Sequence, residues 1–268
     1  MLPNFIIIGA PRAGTTWLAA NLREHPEIFM PPVKELHFFD AEYEKGIPHY
    51  ERWFNQASGE PAVGEATPSY LYLPFVAERI AAHLPDIKLI ACLRDPVERL
   101  YSRYWNAKAK YPENTDLTFE QKLEKKPLFI HEGLYADHLE RYFRLFPREN
   151  ILITFYEDLK DNPGGYLRNI YRYLSVDEGF ESPLLKQTVN SAASKNKISK
   201  SKALWHLYQG LMKIRAFGLA EYVHRANMIP YPPMRQETRR WLVEDVYAES
   251  NRRLSDLVGR DLSHWSRL

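Results

Sequence analysis

Phe5-Ile6-Ile7-Ile8-Gly9-Ala10-Pro11-Arg12-Ala13-Gly14-Thr15-Thr16-Trp17-Leu18 is the stretch that decides the fold. Its first four residues are apolar, three of them β-branched, and show no polar alternation, the pattern of a strand buried on both faces. The chain then turns through Gly9, Pro11 and Gly14 and continues with helical spacing. A buried strand feeding a glycine loop and a helix aims backbone N–H groups and the positive end of the helix dipole at one point. Thr15 and Thr16 add hydroxyl donors there, and Arg12 adds a cation. Such a point suits an anion of the phosphate kind. A strand-to-helix turn that needs its glycines only for geometry would leave Arg12 and the two threonines without a purpose.

Two further apolar runs, Lys88 to Leu93 and Ile151 to Tyr156, have the same character, and each leads into turn chemistry and a helical pattern. A shorter run, Ala62 to Glu65, precedes Thr67-Pro68. Buried strands separated by helices imply an α/β fold, a P-loop-like parallel sheet with helices on both faces. After the second run, Asp95 reads as an N-cap, Pro96 as the first helical residue and Glu98 as the partner that completes a capping box. That places Arg94 at the C-terminal end of a strand, where open α/β sheets bind ligands, with Ser102 two helical turns on and facing the same anion. Farther along, Asn162-Pro163 opens a helix through Leu167 to Leu174. A single helix is predicted from Trp241 through Leu242, Val246, Leu254, Leu257 and Val258, stopped by Gly259.

The composition narrows the class. The 268 residues carry 36 Lys and Arg against 34 Asp and Glu, a net charge of +2, and 45% are hydrophobic. That supports a sizeable core and excludes general disorder. It also argues against a nucleic-acid partner, which calls for a concentrated basic surplus. The single cysteine, Cys92, lies in an apolar run and reads as a buried small hydrophobe. The nine histidines show no ligand spacing, so no metal is expected. No run reaches the roughly 18 to 20 apolar residues of a membrane span, and no secretory pattern opens the chain, so a cytoplasmic setting is the expectation. The reading is one domain, residues 1–268, with a nucleotide-binding core to about residue 175 and a helical acceptor and flap region from about 185 to 268.

The first loop resembles a Walker A loop in having four residues between Gly9 and Gly14, but Thr15 stands where that motif has lysine. The Walker lysine neutralises the β and γ phosphates of a triphosphate, so its absence weighs against a P-loop kinase, the alternative enzyme. Taken with Arg94 and Ser102, the loop resembles the sulfotransferases that use 3′-phosphoadenosine 5′-phosphosulfate (PAPS). Lys34-Glu35-Leu36-His37-Phe38-Phe39-Asp40 resembles the Lys-Glu-x-His-Phe-Phe-Asp segment of the heparan-sulfate-type carbohydrate members. Glu65-Ala66-Thr67-Pro68-Ser69-Tyr70 and Gly133-Leu134-Tyr135-Ala136-Asp137-His138-Leu139 are weaker matches, so that ordered resemblance runs from residue 5 to about residue 160.

The resemblance implies a sulfotransferase fold, PAPS as donor with 3′,5′-adenosine bisphosphate as product, no metal, and an acceptor hydroxyl on a carbohydrate or glycolipid. It implies Arg12, Ala13, Gly14, Thr15 and Thr16 at the 5′-phosphosulfate, with Arg12 replacing the more usual lysine. It puts Arg94 and Ser102 at the 3′-phosphate and Tyr135 against the nucleotide. Trp17 either stacks on adenine or belongs to the core. Glu35 is implied as the general base, with Arg12 and Lys34 as the cations at the leaving phosphate and His37 and Asp40 as positioning groups. His37 is the other candidate base, since cytosolic members of the superfamily use histidine. A non-catalytic nucleotide-binding module would keep Arg94 and Ser102 but has no need of Lys34-Glu35.

Past residue 160 the resemblance fades. The carbohydrate enzymes share a disulfide-closed loop with Lys-Gly-Arg over the nucleotide, and this chain has neither a second cysteine nor that tripeptide. Ser194 to Lys202 takes its place, either as a cationic flap contacting the cofactor through Lys195 and Lys197 or as a polar loop. Ala203 to Val223 is amphipathic. It reads as core, as a cap on the acceptor site, or as a surface for peripheral membrane contact.

Overall fold

The structure, a computed structural model, describes residues 1–110, 117–185, 197–199, 201–214 and 216–268. Five strands, β1 (Phe5–Gly9), β2 (Ile28–Phe29), β3 (Ala62–Ala66), β4 (Lys88–Leu93) and β5 (Ile151–Phe155), form one sheet in the order β2-β3-β1-β4-β5. Every pairing is parallel, and helices flank the sheet. The expected strands appear within a residue of their predicted ends. β2 is only two residues long and carries no readable period. Gly64 lets the central strands close up, because a Cβ there would sit 2.4 Å from the Phe5 ring.

After β1 the chain goes to the β2 and β3 side, and it returns past β1 to lay down β4 and β5. The topological switch therefore falls between β1 and β4, and the C-terminal ends of those two strands border the crevice where such sheets bind ligands. At that point the register between β1 and β4 slips after Ile7, and Ala10 N–H donates to the Cys92 carbonyl at 2.6 Å. The helix α1 (Thr15–Arg23) follows β1, and α2 (Pro74–His83) precedes β4.

β4 leads into α3 (Pro96–Lys110), whose start only half matches the expected capping box. Asp95 Oδ1 accepts from the N–H groups of Val97 at 2.8 Å and Glu98 at 3.2 Å. The reciprocal bond is absent, because Asp95 N–H goes to Glu157 Oε1 at 3.3 Å while Glu98 takes Arg239 at 2.7 Å. A charged partner from the far end of the chain has outbid a backbone amide. Farther along α3, Arg99 is fully buried and paired with buried Glu132 at 2.8 Å. The helices α4 (Tyr135–Leu145) and α5 (Pro163–Leu174) complete the layer, α5 capped by Asn162 accepting from Gly165 N–H at 2.9 Å.

Beyond the sheet, α6 (Lys202–Lys213) and α7 (Phe217–Asn227) form a hairpin. Its ends are joined by the antiparallel strands β6 (Lys197–Ser199) and β7 (Met228–Pro230). The expectation that this amphipathic stretch is core is corrected, since Leu211 and Ala220 are buried while Leu207, Ile214, Phe217 and Leu219 are exposed. The predicted single C-terminal helix is also corrected. It is three pieces, Gln236–Trp241, a π-helical turn Leu242–Val246, and α8 (Ala248–Val258), which Gly259 ends at φ 66°. The wide turn shifts the helical phase, so that Leu242 and Val243 pack with Val97, Leu100 and Tyr247 while Leu254 joins Leu262 and Trp265 in the main core. Trp241 falls off both faces and is 42% exposed.

Candidate active site

Gly14 is the N-cap of α1 at φ 91°, and a Cβ there would meet Leu159 Cδ2 at 2.8 Å. Only glycine fits both the left-handed backbone and the close packing. No side chain caps this helix end, which leaves its first N–H groups and the dipole to an external acceptor. Arg12 adopts φ 69° within the loop, a conformation that costs a non-glycine residue on the order of 1 to 3 kcal/mol. That backbone turns its side chain across the crevice, where Nε donates to Ser102 Oγ at 3.1 Å.

Arg94, at the end of β4, closes the same cradle. Its Nη1 donates to the Arg12 carbonyl at 3.4 Å, and its guanidinium lies 4.8 Å from the centre of the Tyr156 ring. Burial, and then the neighbouring Arg94 and Arg103, hold the Arg12 guanidinium below its ordinary value, while Tyr231 and Tyr156 offset part of that effect. Among the described residues no carboxylate pairs with Arg12, whereas Arg94 has only a distant one, Glu98 at 3.8 Å. A cationic concavity short of negative charge beside an uncapped helix end fits an oligo-anionic nucleotide.

The second half of the site is the turn at Lys34 to Asp40. Glu35 and His37 both take left-handed backbone, φ 67° and φ 54°, and the sheet side of the molecule holds them there. Glu35 N–H donates to the Ala66 carbonyl at 3.1 Å, His37 N–H to Thr67 Oγ1 at 3.4 Å, and Phe39 N–H to the Tyr70 hydroxyl at 3.1 Å. Thr67 in turn donates its N–H to the Ile7 carbonyl at 3.1 Å, which ties this turn to the strand that enters the anion loop. Beneath lies Glu65, 2% exposed, accepting from Thr67 Oγ1 at 2.6 Å and the Tyr50 hydroxyl at 3.1 Å. Burial pushes its carboxyl up to about 7 in spite of those donors.

The side chains of the turn form a charge chain. Ser69 Oγ donates to Asp40 Oδ2 at 2.6 Å, His37 Nδ1 stands 2.9 Å from the same oxygen, and His37 Nε2 lies 3.5 Å from Glu35 Oε2. Lys34 Nζ donates to Glu35 Oε1 at 2.7 Å. The bonds to Asp40 and then Glu35 raise His37 to about 10, so its imidazole is protonated at neutral pH. His37, and then Lys34, hold the Glu35 carboxyl down to about 2 against the opposing effect of burial. Burial works against Asp40 as well, yet His37 and Ser69 keep it below its ordinary value.

The structure thus brings Arg12, Gly14, Thr15, Thr16, Arg94 and Ser102 around one crevice and Lys34, Glu35, His37 and Asp40 into one turn. Two expected cofactor contacts, Tyr135 and Ala13, are buried against the protein. Tyr135 is fully buried, and its hydroxyl donates to the Arg94 carbonyl at 3.0 Å, so it braces Arg94 from behind. Ala13 is also fully buried, with its N–H donating to the Ala10 carbonyl at 3.2 Å. Trp17 is half-buried and meets Tyr166 edge-on at 6.3 Å, so it leans on the core. Lys195 lies outside the described residues, and Lys197 is on β6, paired with Pro230. Sequence reasoning missed Tyr156 and Tyr231, which contribute to the surroundings of Arg12, and nothing in their neighbouring residues signals a site.

The sulfotransferase domain family matches residues 2–217. Heparan sulfate glucosamine 3-O-sulfotransferase 3B1 of Mus musculus is 31% identical over 267 residues, a match covering 97% of this chain and 64% of that protein. The bifunctional heparan sulfate N-deacetylase/N-sulfotransferase 2 of Homo sapiens is 30% identical over 281 residues, 97% of this chain and 30% of that one. The match thus spans just under two thirds of the mouse relative's length. Among solved structures, a sulfotransferase from Alicyclobacillus acidocaldarius superposes over 100% of both chains with a TM-score of 0.75 and 27% identity.

Proposed function

The chain belongs to the sulfotransferase family, and we infer that it moves a sulfuryl group from PAPS to an acceptor hydroxyl on a carbohydrate or glycolipid. The observation that carries this reading is the convergence of Arg12, Arg94 and Ser102 on one anion cradle whose strand also anchors the Glu35 turn. When bound, the donor supplies an activated sulfuryl group on a phosphate leaving group.

The cations and the free end of α1 hold its anionic groups, Arg12 and the helix end on the phosphosulfate side and Arg94 with Ser102 on the 3′-phosphate side. Glu35 takes the acceptor proton. Its partly exposed carboxylate is ionised throughout the neutral range, and both His37 and Lys34 steady it. A carboxylate held so low is a weak base, and its basicity rises when Lys34 swings from it toward an incoming anion. His37 is the weaker candidate for base, because Asp40 and Glu35 keep it protonated. The names of the relatives, which specify heparan sulfate glucosamine, point the acceptor search to amino-sugar hydroxyls.

Thermal stabilisation by 3′,5′-adenosine bisphosphate and by ADP with Mg²⁺, followed by a transfer assay with labelled PAPS on hydroxylated sugars, glycolipids and phenols, tests this function. The bisphosphate should raise the melting temperature, with EDTA making no difference. Preference for ADP with Mg²⁺ overturns the donor assignment in favour of a kinase, and transfer to phenols alone overturns the carbohydrate acceptor.

A further inference from the structure

The α6–α7 hairpin uses two different sets of side chains. Its inner face is aromatic and small: Trp205 and Tyr208 lie 5.3 Å apart, Tyr208 and His224 4.9 Å, and Leu211 and Ala220 are buried. The base is clamped by Asn227, which accepts from Ser201 N–H at 2.8 Å and donates to the Ser201 carbonyl at 3.0 Å. Packing of one helix on the other is therefore accounted for without the outer apolar residues. Those are Leu204, Leu207, Ile214, Phe217, Leu219 and Tyr222, and none of them belongs to either hydrophobic core.

Three of them, Ile214, Phe217 and Leu219, gather at the free end, while Tyr222, 71% exposed, lies farther along α7. Ile214 is 73% exposed and Phe217 58%, on either side of the link between the helices. The sequence there is Lys213-Ile214-Arg215-Ala216-Phe217, apolar residues interleaved with cations. Over residues 201–227 the chain has four cations, Lys202, Lys213, Arg215 and Arg225, against one carboxylate, Glu221. Elsewhere it carries 32 cations against 33 anions, so the entire positive surplus of the protein resides in this hairpin.

We propose that the tip of this hairpin docks on an anionic lipid surface, inserting Ile214 and Phe217 at the level of the headgroups. Exposed apolar side chains next to basic ones match a bilayer interface on both counts: the chains leave water and the cations meet anionic headgroups. A second copy of the chain fits less well, because pairing the same faces would juxtapose two positive surpluses. With 12 and 11 residues, the helices are too short to span a bilayer, which takes about 20. The hairpin therefore rests on the membrane. Its stem leads directly to Tyr231, whose surroundings include Arg12 and Ser102, so docking of the tip would hold the anion cradle about one helix length, roughly 18 Å, from the lipid surface. This inference stands independently of the donor and acceptor assigned above.

Co-sedimentation of the full chain with vesicles tests it, using phosphatidylcholine alone and phosphatidylcholine with about 30 mol% phosphatidylglycerol. The protein should partition onto the anionic vesicles and release them at high salt. The double variant Ile214→Glu/Phe217→Glu should lose at least about tenfold in partitioning, and Lys213→Glu several-fold, with stabilisation by 3′,5′-adenosine bisphosphate retained as proof of folding. Equal partitioning onto both kinds of vesicle, or undiminished binding by the double variant, overturns the proposal. So does a dimer in sedimentation equilibrium that the double variant dissociates, since the face would then belong to a second copy.

Discussion

Arg12 and Ser102, ninety positions apart in the chain, are joined by a 3.1 Å hydrogen bond from Nε to Oγ. The bond unites the loop after β1 with the second turn of α3, so the two segments proposed to bind the donor's anionic groups are one structure. An anion held at either segment should then order the other, because both share the Arg12 guanidinium.

Arg94→Ala should weaken binding of 3′,5′-adenosine bisphosphate by about 1.5 to 3 kcal/mol, the range for a hydrogen bond involving a charged group. Ser102→Ala should cost less directly but also release Arg12. Isothermal titration checks both, and unchanged affinity in Arg94→Ala would remove that residue from the site.

Glu35→Gln keeps the size of the side chain but cannot take a proton, so the transfer rate should fall by roughly 10² to 10⁴ with nucleotide affinity nearly constant. His37→Ala should lose less. The reverse ranking in single-turnover assays makes His37 the base.

The pH profile separates the same two candidates. The Glu35 carboxyl, held down to about 2, remains ionised far into acid, so it sets no acid limb of its own, and kcat/KM should be level from about pH 7.5 to about pH 9, with any loss below that following Glu65. Above that range kcat/KM should fall as His37, raised to about 10, loses its proton and Glu35 its partner. A histidine base would instead give activity that climbs steadily through neutral pH toward 10. For stability, the raised His37 contributes most below the ordinary imidazole range and ceases to contribute as the pH passes about 10.

Glu65 should act on the reaction through the Glu35 turn. Its carboxyl is pushed up to about 7, so the folded state binds the proton more tightly than the unfolded chain does. That contribution is complete below the ordinary carboxyl value and is lost as pH rises through about 7. Glu65→Gln should flatten the dependence of Tm on pH between about 4.5 and 7. It should also lower kcat more than it raises KM, because Thr67, which holds His37 N–H, loses a carboxylate partner. A Tm profile that keeps the wild-type slope points to a different titrating group.

Glu132→Ala leaves the buried Arg99 guanidinium without its ion-pair partner and should destabilise the fold by roughly 3 to 5 kcal/mol in urea denaturation. A loss below about 1 kcal/mol would show that water reaches Arg99.

By itself the sequence determined the elements whose signals are local. Phe5 to Ile8 reads as a buried strand because four successive apolar residues suit no other environment in a parallel sheet. Gly14 before Thr15 and Thr16 marks a helix end made for an anion, and Asn162-Pro163 and Gly259 mark helix limits because caps act within a few residues. What only the tertiary structure decided is what depends on partners far along the chain. Glu98 left its capping box for Arg239, Tyr135 turned its hydroxyl to the back of Arg94, and the C-terminal helix broke its period to reach two separate cores. The charges on Glu35 and His37 stand between the two. The groups that shift them, Lys34, Asp40 and each other, lie within six residues, but the left-handed turn that brings those groups into hydrogen-bond reach is held by Ala66 and Thr67 at the end of β3. The outer face of the α6–α7 hairpin shows the same limit, since an apolar period states that a surface wants cover and only the assembled fold shows that no part of the described chain supplies it.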